Sequence, residues 1–194
     1  SYLKFLVNTN PNIKNVLNQN GIKPNVYPEN VKNIINSHIT TTTAFALQIA
    51  NSMGISQADK KILEQACVFH DFGKVLIPKE IIEKPEVLTD SEKQIMDLHS
   101  ELGAELLSST GINDRVINLV KNHHNAGNNT DILGQILSVA DIYSALRETR
   151  SYKQALTESD ALKILDQKAQ NGEVSTEVVN ALKASLNTKS VNAA

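Results

Sequence analysis

Five histidines are spread along the chain, His38, His70, His99, His123 and His124, and each lies on or at the end of an apolar helical stripe. Two carboxylates accompany them, Asp71 directly after His70 and Asp141 farther on. One histidine on an apolar stripe is ordinarily a satisfied core residue. All five on such stripes, one of them fused to an aspartate, point instead to a metal centre with two ions. Mixed imidazole and carboxylate donors suit Mn, Fe, Ni or Zn better than Mg or Ca, and the spacing does not choose among these transition metals. The expected cofactors are two divalent ions of this group, with Fe or Mn taken first and Ni or Zn next.

The carboxylates carry the sharpest constraints. Asp141 lies on the row Leu137, Asp141, Ala145 of an otherwise apolar helix, where an unpaired buried charge would cost several kcal/mol. A metal ion removes that cost, and an arginine partner would also do so. Asp71 ends a helix beside His70 and has two oxygens with which to bridge two ions. His123 and His124 also end a helix, and the Asn125-Ala-Gly127 that follows lets the backbone turn so that adjacent rings can converge. Lys74, three residues past Asp71, either offers an ammonium beside the metals or is a solvated surface lysine. Arg150, Tyr152 and Lys153 either suit a phosphate or form a polar turn. Cys67 has apolar neighbours and reads as core packing.

The elements that must position these groups are helical. Apolar residues recur at helical spacing and no alternating β-branched run suggests a sheet, so the fold class is all-α, a bundle of about seven or eight helices. The pattern predicts one helix over residues 29–53, entered through Pro28 and closed by Gly54, with the stripe Val31, Ile35, His38, Thr42, Phe45, Ile49, Met53. A second is capped by Ser56 and runs to His70. Thr89-Asp-Ser-Glu92 is a capping box that opens a helix carrying His99 and ending before Gly111. Further helices run from about 113 to His123 and from about 132 to 148, and caps at Thr157 and Ser175 open two more. Residues 1–27 read as a weakly patterned helical segment or linker, 28–187 as the domain, and 188–194 as a frayed tail.

Nineteen basic and twenty-one acidic residues leave a net charge of −2, with no basic block to track a nucleic-acid backbone, so duplex DNA or RNA is not an expected partner. No apolar run approaches the ~20 residues needed for membrane insertion, and the lone Cys67 cannot form an intramolecular disulfide. The expected localisation is cytoplasmic. A small anionic substrate held by a few Lys and Arg side chains remains open.

The run His70-Asp-Phe-Gly-Lys-Val-Leu-Ile-Pro78 resembles the HD superfamily of metal-dependent phosphohydrolases. Lys84-Pro-Glu-Val-Leu-Thr-Asp-Ser-Glu92, Met96-Asp-Leu-His99 and the segment Ala140-Asp141 to Lys153 narrow the resemblance to its HD-GYP branch, the bacterial cyclic di-GMP phosphodiesterases, over about residues 30–155. The resemblance implies a helical bundle with His38, His70, Asp71, His99, His123, His124 and Asp141 as metal ligands. It places His38, His70 and Asp141 on one ion, His99, His123 and His124 on the other, and Asp71 across both. Asp71 and Lys74 would be catalytic, and Lys74, Arg150 and Lys153 would contact phosphate, with a metal-bridging hydroxide attacking phosphorus. A sensory or regulatory domain N-terminal to this one and a homodimer are compatible with the resemblance.

The departures are also informative. After His123-His124 the chain has Asn125-Ala-Gly-Asn-Asn-Thr-Asp131, shortened and without the Gly-Tyr-Pro signature. Ser144 stands where the family usually has a second Asp, Ser151 where Pro follows the Arg, and Ile34 where some members hold a third ion with Glu. Two functions follow: a metal-dependent phosphodiesterase acting on a nucleotide such as cyclic di-GMP, or a noncatalytic signalling or nucleotide-binding module that keeps its metals for structure or sensing.

Overall fold

The computed structural model describes residues 2–35, 37–127, 130–149 and 153–192, with side chains as far as residue 187. The described residues contain no strand and form eleven α-helices: α1 (Tyr2–Thr9), α2 (Pro11–Gln19), α3 (Val31–Ile34), α4 (Ser37–Ser52), α5 (Gln57–Phe69), α6 (Lys79–Ile82), α7 (Asp90–Leu107), α8 (Asp114–Asn122), α9 (Ile132–Arg147), α10 (Glu158–Gln170) and α11 (Thr176–Asn192). The all-α expectation holds. The helices beyond the seven or eight counted from caps are short ones or lie near the N-terminus. The chain divides into two compact units, Ser1–Asn36 with Phe69–Lys121, and Ser37–Val68 with Asn122–Ala194.

In the first unit α7 is the central element. Thr89 Oγ1 accepts the Glu92 amide while Glu92 returns to the Thr89 amide, so the expected capping box forms. Leu102, Leu106 and Leu107 are buried on its inner face. α2 packs against α7, and its start follows from Asn10, whose side chain accepts the amides of Asn12 and Ile13 ahead of Pro11 at the first helical position. Ile13 and Leu17 are fully buried, each contributing roughly 1.5–3 kcal/mol, so residues 1–27 include packed helices. A 3-10 turn, Phe72–Leu76, lies against α7, and a second one, Pro28–Asn30, lies against it in turn.

In the second unit α9 packs against α4, α10 and α11, and its residues from Leu133 to Ala140 are all buried. Phe45 of α4 meets Tyr143 of α9 edge to face at 4.7 Å. Gln48 Nε2 donates to Ser185 Oγ of α11 at 2.8 Å. Asp131, Thr157 and Ser175 cap α9, α10 and α11 through their side-chain oxygens.

The single helix expected over 29–53 is corrected by the structure. It is broken after Ile34: Ile35 leaves the helical region at φ −88°, ψ 81°, and α4 starts afresh at Ser37. The break resets the stripe, so Ile34 is buried at 4% exposure while Ile35, expected inside, is 72% exposed. At the other end α11 continues through Asn192, past the expected start of the tail. No helix is long and apolar enough to cross a membrane among the described residues.

Candidate functional site

In the first unit the His70-Asp71 pair follows the last turn of α5. Asp71 sits at φ −96°, ψ 2°, the bridge region between helix and strand, and the chain then enters the turn Phe72–Leu76. Residues three apart eclipse in a 3-10 turn, which returns Lys74 over Asp71 with Nζ 2.7 Å from Oδ2. The other carboxylate oxygen, Oδ1, is 3.3 Å from His99 Nε2, and His70 Nε2 is 3.6 Å from Oδ2. His70, Asp71 and His99 are buried.

Two devices bring α7 and this turn together. A Cβ at Gly73 would overlap the His99 carbonyl oxygen and stand 2.6 Å from the Gly103 nitrogen, so only glycine allows the turn to lie this close to α7 beside His99. Buried Asn30 clamps the other side, its Nδ2 donating to the carbonyls of Lys74 at 2.8 Å and Ile77 at 2.9 Å. The Gly73 of the motif is therefore a packing requirement of the site.

In the second unit His38, in the first turn of α4, faces α9. Its Nε2 is 2.8 Å from Asp141 Oδ1. Its Nδ1 lies 3.1 and 3.2 Å from the two oxygens of Glu148, just past the end of α9. Asp141 is half-buried, and its partner in this pair is a histidine, not the arginine that could have neutralised it. α8 ends at Asn122, so His123 and His124 lie in the turn beyond it, with ring centroids 3.9 Å apart; His123 is buried and His124 exposed. Cys67 is buried as core, and burial, then the nearby charge of Asp141, push its thiol well above the ordinary range. Lys153 is half-buried in the segment between α9 and α10, and Arg150 lies outside the described residues.

The donor chemistry within each unit fits a divalent cation. The Met96 carbonyl oxygen, 2.6 Å from His99 Nδ1, can only accept, so Nδ1 carries the hydrogen and Nε2 is the ligand-competent nitrogen, directed at Asp71. For His38 the two ring nitrogens each face a carboxylate, Nδ1 that of Glu148 and Nε2 that of Asp141. Donor atoms 2.8 and 3.3 Å apart have the spacing of neighbouring ligands on one ion, about 3 Å when metal–ligand bonds are near 2.1 Å. These His/Asp pairs are donors that could contribute to binding a metal ion.

The family model of the HD domain matches residues 24–146. The chain belongs to the HD domain family. This HD domain is 33% identical over 132 residues to the cyclic di-GMP phosphodiesterase response regulator RpfG of Xanthomonas campestris, covering 60% of this chain and 34% of that protein. It is 29% identical over 137 residues to 3'3'-cGAMP-specific phosphodiesterase 2 of Vibrio cholerae, covering 63% of this chain and 26% of the relative. The chain thus spans about a quarter to a third of the length of these curated relatives. Among solved structures its fold is similar to Bd1817, an HDG"Y"P protein from Bdellovibrio bacteriovorus, with a TM-score of 0.63 at 18% identity, covering 77% of this chain and 51% of that one. It is also similar to the HD domain of the L. monocytogenes phosphodiesterase PgpH, with a TM-score of 0.60 at 14% identity, covering 80% of this chain and 91% of that one.

Reading the sequence missed Glu148, which stands where a surface glutamate is the ordinary expectation. Its signal was its spacing, four residues after Ser144 and seven after Asp141, one face of a helix. The Met96 carbonyl and the Asn30 clamp left no signal, because neither depends on a residue type that announces chemistry.

Proposed function

We propose that this HD domain is a metal-dependent phosphodiesterase acting on a cyclic dinucleotide, with cyclic di-GMP the first candidate. The observation that carries the reading is the buried Asp71 carboxylate between Lys74 Nζ at 2.7 Å and His99 Nε2 at 3.3 Å, in a chain whose named relatives cleave cyclic di-GMP and 3'3'-cGAMP. The PgpH HD domain, similar in fold, has been seen in complex with cyclic-di-AMP.

His38, His70, Asp71, His99, His123, His124 and Asp141 are the proposed ligands, and Asp71, with two oxygens, is the residue suited to contact both ions. Two divalent ions, Fe or Mn, when bound would lower the pKa of water and neutralise charge at phosphorus. The chain's own groups do the rest. Lys74 steadies Asp71 and presents its ammonium to a nonbridging phosphate oxygen as negative charge develops. Arg150 and Lys153 hold the phosphates and so orient the scissile bond. His99 keeps its Nδ1 hydrogen on the Met96 carbonyl, which leaves Nε2 for coordination.

The test is metal content per chain, by elemental mass spectrometry on anaerobically purified protein, together with turnover of cyclic di-GMP, 3'3'-cGAMP and cyclic-di-AMP. The wild type should carry two equivalents and cleave at least one of them. Asp71→Asn should lose metal and, with it, about 10²- to 10³-fold or more of the rate, because the ions would supply the charge stabilisation at phosphorus. Full activity in that variant would sink the mechanism. The short segment after His124, which lacks the Gly-Tyr-Pro signature, favours a second reading, a nucleotide-binding module without turnover. A nucleotide that binds and emerges uncleaved after long incubation with Mn or Fe would establish it.

A further inference from the structure

The ring of His38 lies between two carboxylates, and which of them holds its hydrogen decides what the residue can do. Asp141 Oδ1 is 2.8 Å from Nε2, while both oxygens of Glu148 bracket Nδ1 at 3.1 and 3.2 Å. Without Glu148, the Asp141 carboxylate at 2.8 Å, with Thr42 Oγ1 at 3.4 Å beside it, would draw the hydrogen of the neutral ring to Nε2, and the nitrogen facing Asp141 could not then bind a metal. Glu148 competes for the hydrogen from the opposite side with two acceptor oxygens. Its own position is set by α9: Ser144 Oγ, fully buried one turn earlier, donates to Oε1 at 3.3 Å. Asp141, Ser144 and Glu148 thus act from one helical face on the first turn of α4.

We propose that Glu148 is a positioning residue that holds His38 in the Nδ1–H tautomer and so keeps Nε2 available as a ligand, with Ser144 fixing the glutamate. The carboxylate that does this stands at 148, while position 144 holds a serine. The consequence for metal rests on the function proposed above. The tautomer itself does not, because it is defined by protein groups alone.

The experiment uses the full chain labelled with 15N at histidine, metal-free, at pH 8, and reads the His38 tautomer from long-range 1H–15N correlations. The wild type should show Nδ1–H. Glu148→Ala should move the hydrogen to Nε2, and adding Ser144→Asp should return it to Nδ1, because an aspartate there places an oxygen near the one lost. Glu148→Met keeps the side-chain volume but removes both acceptors, and it should behave as Glu148→Ala even if the alanine variant fails to fold. In parallel, Mn affinity should fall about 10- to 100-fold without Glu148 and recover in the double variant. An Nδ1–H ring that survives loss of Glu148, or a double variant that stays on Nε2–H, overturns the proposal. A shifted and rescued tautomer in a chain that binds no Mn would uphold Glu148 and overturn only the metal reading.

Discussion

The buried groups of this domain differ in what burial does to them. Asp71, His38 and His99 have partners that keep polar chemistry available, while Cys67 is surrounded by core, and burial with the Asp141 and Glu64 charges opposes its thiolate. Its folded pKa is raised above the unfolded value of 9.0, so the native state holds the proton more tightly. The stabilisation is fully present below pH 9.0 and is lost as pH rises above it, with a slope of up to about 1.4 kcal/mol per pH unit. Urea unfolding of metal-free protein at pH 8 and at pH 10.5 should therefore show a larger loss for the wild type than for Cys67→Ala, in which this linkage is absent. Equal losses would show that the thiol ionises in the fold. Alkylation by iodoacetamide at pH 8 should likewise require unfolding. At this scale the chemistry-bearing residues were legible because His and Asp are conspicuous on apolar stripes. Glu148 was not, because a glutamate past a helix end is usually a solvated one.

Among the elements, the tight approach of the Phe72–Leu76 turn to α7 is the most sensitive to substitution. The atoms that a Cβ at Gly73 would strike are backbone atoms of His99 and Gly103, which cannot swing aside as a side-chain tip could. Gly73→Ala should therefore separate the turn from α7, at a cost near or above the upper end of the 1–3 kcal/mol typical of overpacking. It should also weaken metal binding by displacing His99 from Asp71, although it removes no donor. A urea titration and an Mn titration on the same variant check both effects, and an unchanged stability would show that the backbone there can yield. Helix starts were legible wherever a cap was chemically explicit, as at Ser56, Thr89, Thr157 and Ser175. The break at Ile35 was not, because Val31 to Met53 keeps an unbroken apolar period while the backbone departs from it. α2 was obscured by its many asparagines, although Asn10-Pro11 is itself a helix-start signal.

For the molecule as a whole, a net charge of −2 offers no long-range attraction to an anionic substrate, so capture must rest on local cations and bound metal. Metal should then be felt in the stability of the chain. Any ion that binds the native state and not the unfolded chain adds RT ln(1 + [L]/Kd), about 2.7 kcal/mol at one hundred times Kd. For a chain of 194 residues that corresponds to a rise in Tm of roughly 5–10 °C. Mn added to metal-free protein under anaerobic conditions should produce this rise in a calorimetric scan, growing with the logarithm of concentration, and a chelator should reverse it. Asp71→Asn should start close to the wild-type Tm without metal and gain much less with it, because the carboxylate flanked by Lys74 and His99 has been replaced by a neutral amide. An equal gain in the mutant would mean that Mn binds the chain away from Asp71, and the proposed ligand set would have to be redrawn around the remaining histidines and Asp141.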